Sequence, residues 1–355
     1  MYTPNLNQTA MNSPSSPWLR RLGAVLEVCG VYGVGLLIAF LAIRILGVET
    51  QNPIDVLKAN PNADLFEMSK NMGLLLLFQY GGIMLPAFLI GWWHRRRKAS
   101  GYGITMAGQS VLSLILIGIV TFAVAELPAK LMTVIDRFIP LGSKAITQQI
   151  AYGLDWGSLG FWVFMAVGSF LLVPIVEELF YRGYVQNRLA EDLGAPSAIL
   201  ITALFFTFSH SQYYLLFSAW NTGMLLTILF SALVSGYIFH LTRSLLPPMV
   251  AHALVNIPVR GLADFILPIV MIALIVIYRR EIMQHAQALI EMLRTGILSR
   301  WGLVAACLFM ILFAVGMALT QDVIVLVSFL LLIAAVILEA LEKRKLRKMA
   351  LNPAS

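Results

Sequence analysis

The amino-acid sequence predicts an all-α fold, a polytopic transmembrane helical bundle of about ten spans (eight to ten). Three observations predict it. Of 355 residues, 59% are apolar and only 12% are charged, about half the share of roughly 25% that a soluble domain carries. The charge is clustered, so that long apolar runs alternate with short polar segments, and runs of about 20 apolar residues are what a helix needs to cross a bilayer. The two cysteines, Cys29 and Cys307, both lie inside apolar runs, which argues against a disulfide framework or a Cys metal cluster. A soluble enzyme, a disordered chain and a disulfide-stapled secreted domain are excluded together.

Residues 1–21 form a polar tail rich in Asn, Ser, Thr and Pro, closed by Arg20-Arg21. Leu22 to Leu46 is too long for a signal-peptide core and reads as an uncleaved first span. Thr50 to Asn71 mixes prolines, asparagines and both charge signs and reads as a loop; Gly73 to Trp93 is span two, stopped by His94-Arg95-Arg96-Arg97-Lys98. Span three runs from Gln109 to Ala125, with a loop to Ser158 completing an N-terminal block over 22–158. A polar-bearing core follows over 159–262. In it, span four starts near Leu159 and runs to Gly194-Ala195-Pro196, and spans five, six and seven cover Ser197–Phe217, Gly223–Leu241 and Leu245–Leu262. Residues 263–280 hold an additional short span, and 281–300 place Ile, Leu and Met at helical spacing among charges, as in a helix lying on the membrane surface. A hairpin of two further spans occupies 301–342, and a basic tail occupies 343–355.

Basic residues set the orientation. With ten spans, eighteen Lys and Arg fall on the side of the N-terminus and seven on the other. Cytoplasmic loops carry the excess of basic residues, so both termini are expected in the cytoplasm of a multi-pass protein of the bacterial inner (plasma) membrane. The net charge of +7 is thereby explained without nucleic acid.

Ionisable groups inside spans are costly and mark functional sites. Three constellations stand out. In Glu177-Glu178-Leu179-Phe180-Tyr181-Arg182, Glu178 and Arg182 are four apart and share a helical face. Glu177 lies about 100° round the helix, outside that pair, and is available as a general base. The alternative is that both glutamates mark the cytoplasmic end of span four. In Phe206-Thr207-Phe208-Ser209-His210, the histidine follows more than ten apolar or hydroxyl residues, with Phe206 one turn earlier on its face. In His252-Ala253-Leu254-Val255-Asn256, two hydrogen-bonding side chains stack on one face, and Pro247-Pro248 sets the helix start. The bland reading of the last two is structural, a hydrogen-bonded buried histidine and polar glue between helices. Glu27, Tyr80 and Glu126 lie near span ends or alone and are given no chemistry.

Taken in order, Glu-Glu-x-x-x-Arg, Phe-x-x-x-His and His-x-x-x-Asn resemble the CPBP family of intramembrane proteases. That family includes the type II CAAX prenyl endopeptidases and the bacteriocin-processing or Abi proteins. Ser235-Gly236-Tyr237 and Arg243-Ser244-Leu245-Leu246-Pro247-Pro248 also look like the family, and the likeness covers about residues 160–262. The resemblance implies an endopeptidase acting on a membrane-embedded or lipid-anchored polypeptide. Glu177 would be the general base, His210 would position and polarise the attacking water, and His252 and Asn256 would donate to the oxyanion. Glu178 and Arg182 would be a supporting pair, with Phe206 beside the histidine. A metal-independent mechanism without cofactor is favoured; the rival is a zinc ion held by His210, His252 and Glu177, which are suitable ligand types. Two other functions stay open, a non-catalytic binding or immunity scaffold and a proton-coupled transporter. The oligomeric state is not encoded legibly.

The order of spans places the site in a cavity opening towards the cytoplasm. A membrane-impermeant thiol reagent added from the cytoplasmic side is expected to label Glu177→Cys and His252→Cys proteins; preferential labelling from the other side would reverse the orientation.

Overall fold

The computed structural model describes residues 17–45, 65–93, 99–142, 170–210, 213, 218–257 and 261–296. The N-terminal tail to residue 16, the start of span four, the hairpin over 301–342 and the basic tail over 343–355 lie outside the described residues. Within them the chain is helical: α1 (Pro17–Ile45), α2 (Leu65–Trp93), a 3-10 turn (Ala99–Tyr102) and α3 (Val111–Asp136) come first. Then follow α4 (Val173–Glu178), a π-helix (Leu179–Gln186), α5 (Asn187–Leu193), α6 (Ala195–Phe208), α7 (Ala219–Thr242), α8 (Leu246–Val255), α9 (Ala263–Ile277) and α10 (Arg279–Gly296).

Three of the described helices are long and apolar enough to cross a bilayer, over Leu19–Ile45, Val111–Asp136 and Ala219–Thr242. Others fall short of that length. Leu246–Val255 has 10 residues, about 15 Å of helix against a hydrocarbon core of about 30 Å. The expected full span over Leu245–Leu262 is therefore corrected to a half-length helix. Its end has a local cause: Pro258 follows Ile257, and a residue before proline is pushed out of the helical region. Span five is corrected likewise. It stops at Phe208 rather than Phe217, where Thr207 and Ser209 hydroxyls bond the carbonyls of Ala203 and Phe206 at 2.8 and 2.7 Å. Hydroxyl side chains that take backbone carbonyls in this way compete with helix continuation.

Two boundaries move outward instead. The helix of span two begins at Leu65, inside the segment expected to be loop. Span three continues through Pro128 to Asp136, because Glu126 is buried within the bundle and does not mark a helix end. Polarity along the chain signals a membrane boundary or a buried site, and neither has to end a helix.

Two packed groups organise the bundle. Val25, Val28 and Val31 of α1 and Ile83, Met84 and Ala87 of α2 pack against Phe180, Tyr181, Tyr184 and Val185 of the π-helix and Phe206 of α6. Phe122 and Ala123 of α3 pack with Ala251 of α8 and Met271 of α9. Polar ties fasten the ends. Arg188 bonds Glu27 at 2.7 Å and Asp192 at 2.7 Å, and Tyr184 donates to Glu27 at 3.2 Å. Arg137 at the far end of α3 pairs with Asp264 at the start of α9.

The turn from α7 into α8 uses the expected Arg-Ser-Leu-Leu-Pro-Pro segment. Arg243 takes a left-handed conformation, φ 57°, to end α7, and Ser244 Oγ accepts from the Leu246 N–H at 3.3 Å to start α8. Pro247 and Pro248 then fill its first turn, where a missing N–H costs nothing. Gly236 lies close to the π-helix: its carbonyl accepts from Gln186 Nε2 at 2.9 Å, and a Cβ there would lie 2.9 Å from Gln186 Oε1, so a larger residue would have to displace that side chain.

The α1–α2 crossing depends on glycine as well. A Cβ on Gly35 would stand 2.6 Å from Ile83 Cα, and one on Gly82 would stand 2.7 Å from the Gly35 carbonyl oxygen. Small residues at crossings let helix backbones approach closely where burial from water offers no driving force. Gly35→Val is expected to destabilise the protein by about 1–3 kcal/mol, the usual range for overpacking, read as a lower unfolding temperature in detergent. Gly23→Ala, whose Cβ meets nothing within 4 Å, should show no loss.

Candidate active site

The three sequence constellations converge on one cavity of about 400 Å³, lined among others by Glu177, Glu178, Arg182, His210, His252 and Asn256. Each arrives by a different local route. Glu177 and Glu178 end α4 where the chain winds into the π-helix, a form that occurs mostly at functional sites. His210 stands just past the C-cap Ser209 of α6, so the expectation that it lies within a span is corrected: it sits on a turn at a helix end. His252 is in the last turn of α8, and Asn256 is its C-cap. The cavity is thus built where helices stop.

Glu178 and Arg182 pair as the spacing predicts, Nη1 to Oε1 at 3.0 Å, both side chains almost fully buried. The same Glu178 Oε1 faces His252 Nδ1 at 2.9 Å. Arg182 also donates from Nη2 to the Ala232 carbonyl at 3.3 Å, and its guanidinium lies over the Phe206 ring at 4.7 Å, a cation–π distance. Phe206 meets both histidines, with ring centroids 4.8 Å from His210 and 5.9 Å from His252.

The ring nitrogens are assigned by their partners. His210 Nδ1 is 2.8 Å from the Phe206 carbonyl, which can only accept, so Nδ1 carries a proton and neutral His210 offers an Nε2 lone pair. His252 Nδ1 faces a carboxylate and donates to it, leaving its Nε2 3.7 Å from Glu177 Oε2. Glu177 is outside the Glu178–Arg182 pair, as expected. Its Oε1 accepts from the Tyr80 hydroxyl at 2.5 Å, and its Oε2 is buried without a hydrogen-bond partner.

Residues 159–258 match the family model described as type II CAAX prenyl endopeptidase Rce1-like. The match supports a likeness to the CPBP/CAAX protease family over this stretch. The Rce1-like segment covers well under half of the chain, and it carries all three constellations. Its family is one of membrane proteases, and with the apolar helices it marks a membrane protein. No curated protein and no solved structure matches the chain.

Residues outside the Rce1-like segment also line the cavity, and the sequence reading missed them. Tyr32 of α1, Tyr80 of α2 and Glu126 of α3 all face it. Glu126 is 5% exposed and hydrogen-bonded to Ser231 of α7. An ionisable residue in an apolar run with Lys130 four residues on was the available signal for Glu126, but its hydrogen-bond partner lies on another helix. Among the described residues no three His, Cys, Asp or Glu side chains come together as a metal ion would need.

Removing one partner from a buried ion pair leaves an uncompensated charge, at a cost of about 3–5 kcal/mol. Arg182→Ala is therefore expected to lower the unfolding temperature sharply. Arg182→Lys should recover little, since a single ammonium cannot span Glu178, Ala232 and the Phe206 face as the planar guanidinium does. A Lys variant as stable as wild type would contradict this account.

Proposed function

We propose that this chain is an intramembrane endopeptidase that hydrolyses a peptide bond in a membrane-associated polypeptide, of the CAAX-endopeptidase kind its Rce1-like family model names. The observation that carries the reading is the Glu177 carboxylate. One of its oxygens is held by Tyr80, while the other is buried, lacks a hydrogen-bond partner and borders a cavity shared with two histidines.

Peptide hydrolysis needs a base for water, an acceptor or donor to orient it, and donors for the charge that develops on the carbonyl oxygen. Glu177 Oε2 takes the proton from water. His210 Nε2, its other nitrogen committed to Phe206 O, orients that water as an acceptor. His252 and Asn256 donate to the oxyanion. His252 does so from Nε2 in its imidazolium form, since Nδ1–H is engaged by Glu178. Glu178 therefore fixes the ring's tautomer and direction, and Arg182 fixes Glu178. The proton on Glu177 is then delivered to the leaving amine. The substrate enters from the membrane, and the bilayer is the surrounding partner.

The test uses purified protein with an internally quenched peptide ending in a prenylated CAAX sequence and with a library of membrane-associated polypeptides. Glu177→Gln is expected to lower kcat by about 10²–10⁴-fold, the span of general base catalysis. His210→Ala should also abolish efficient cleavage, and a chelator should leave the wild-type rate unchanged. Cleavage that persists in both variants would sink the assignment. Loss on chelation restored by Zn²⁺ alone would replace the mechanism with a metal-assisted one.

A further inference from the structure

The N-terminal helices lie outside the Rce1-like segment, yet one of them touches the carboxylate at its centre. Tyr80 of α2 donates its hydroxyl to Glu177 Oε1 at 2.5 Å. That bond divides the carboxylate. Oε1 is taken, while Oε2 is buried without a hydrogen-bond partner and stands 3.7 Å from His252 Nε2. A glutamate side chain is flexible, and anchoring one oxygen fixes where the other points.

The donor itself is placed by backbone contacts. Two residues beyond Tyr80, Gly82 meets the Gly35 backbone so closely that neither position admits a Cβ. In the next turn Ile83, Met84 and Ala87 are buried in the same packed group as Phe180, Tyr181 and Tyr184 of the π-helix. The helix that carries Tyr80 is therefore fixed against α1 by the glycine crossing, and against the π-helix that follows Glu177 by a packed apolar seam. Interactions that hold a reacting group within a fraction of an ångström of its productive position have large effects on rate.

We infer that Tyr80 is a positioning residue for the proposed hydrolysis, whose hydroxyl anchors Glu177 Oε1 so that Oε2 faces the attacking water. The inference rests on Glu177 acting as the base. In the step, the proton leaving water comes to reside on Oε2 and the new C–O bond forms to the peptide carbonyl carbon. Tyr80 keeps its own proton throughout and contributes no atom to the product. The active unit then extends beyond the family-matched stretch to include α2, and through Gly35 it depends on α1.

The experiment uses the full chain, purified in detergent, with the internally quenched prenylated CAAX peptide as probe. Tyr80→Phe keeps the ring and removes only the donor. Its kcat is expected to fall roughly 10–100-fold, with KM within about twofold of wild type and a folded protein whose unfolding temperature falls only by the loss of one hydrogen bond to a buried carboxylate. A wild-type kcat, or a loss carried by KM, would overturn the proposal. Infrared difference spectra supply a readout that does not depend on turnover. Wild type minus Glu177→Gln identifies the Glu177 carboxylate bands, which should move in Tyr80→Phe. Bands that stay in place overturn the role of Tyr80 even if activity is lost. A Glu177→Gln protein that still cleaves overturns the base assignment beneath it, so the two failures are told apart.

Discussion

The structure around the cavity depends on one buried carboxylate, that of Glu178. A charge at membrane depth persists only when it is paired and hydrogen-bonded, and Glu178 Oε1 meets both Arg182 and His252, at 3.0 and 2.9 Å. Through Arg182 the carboxylate is tied to the Ala232 carbonyl and the Phe206 ring, and so to α7 and α6. Through His252 it is tied to α8. Three segments distant in sequence, α6, α7 and α8, are thereby tied to one oxygen at the end of α4. The requirement that a buried charge be satisfied is what brings the catalytic candidates together, because each group that satisfies Glu178 also borders the cavity.

Membrane depth imposes a second condition on the backbone. Helix ends leave carbonyl and amide groups without intrahelical partners, and within a bilayer such ends are tolerated only inside protein or beside a water-containing cavity. The described part of this chain ends α6 at Phe208 and α8 at Val255, and both ends open onto the site. His210 and Asn256 occupy those ends. A pocket for water and the termination of two short helices are thus one structural event, since the ends need the polar pocket and the pocket needs the space that the missing turns leave.

Much of this was legible in the sequence. Composition and apolar run lengths gave the helical membrane class, and the four-residue spacing gave the Glu178–Arg182 pair and the Phe206–His210 contact. Helical periodicity worked because each pair lies within one continuous or nearly continuous helix. Boundaries were less legible. Hydropathy reads solvent, whereas Ser209, His210 and Asn256 end helices through local hydroxyl bonding and a following proline, with no change in apolar character. Partners across helices were not legible at all. Nothing near Tyr80 in the chain indicates a bond to Glu177, 97 residues away, and the hydrogen bond between Glu126 and Ser231 on α7 joins residues similarly distant in the chain.

The close approach of Gly35 and Gly82 has a consequence for how this protein could diversify. Two backbones in contact leave no layer of side chains to absorb substitution, so the first two helices must vary jointly or stay fixed at the crossing. Everything they present to the cavity is inherited as a block. Exchange of the N-terminal hairpin between relatives would then transplant part of the cavity wall. The module that recombination can move without harm is larger than the module that sequence similarity detects.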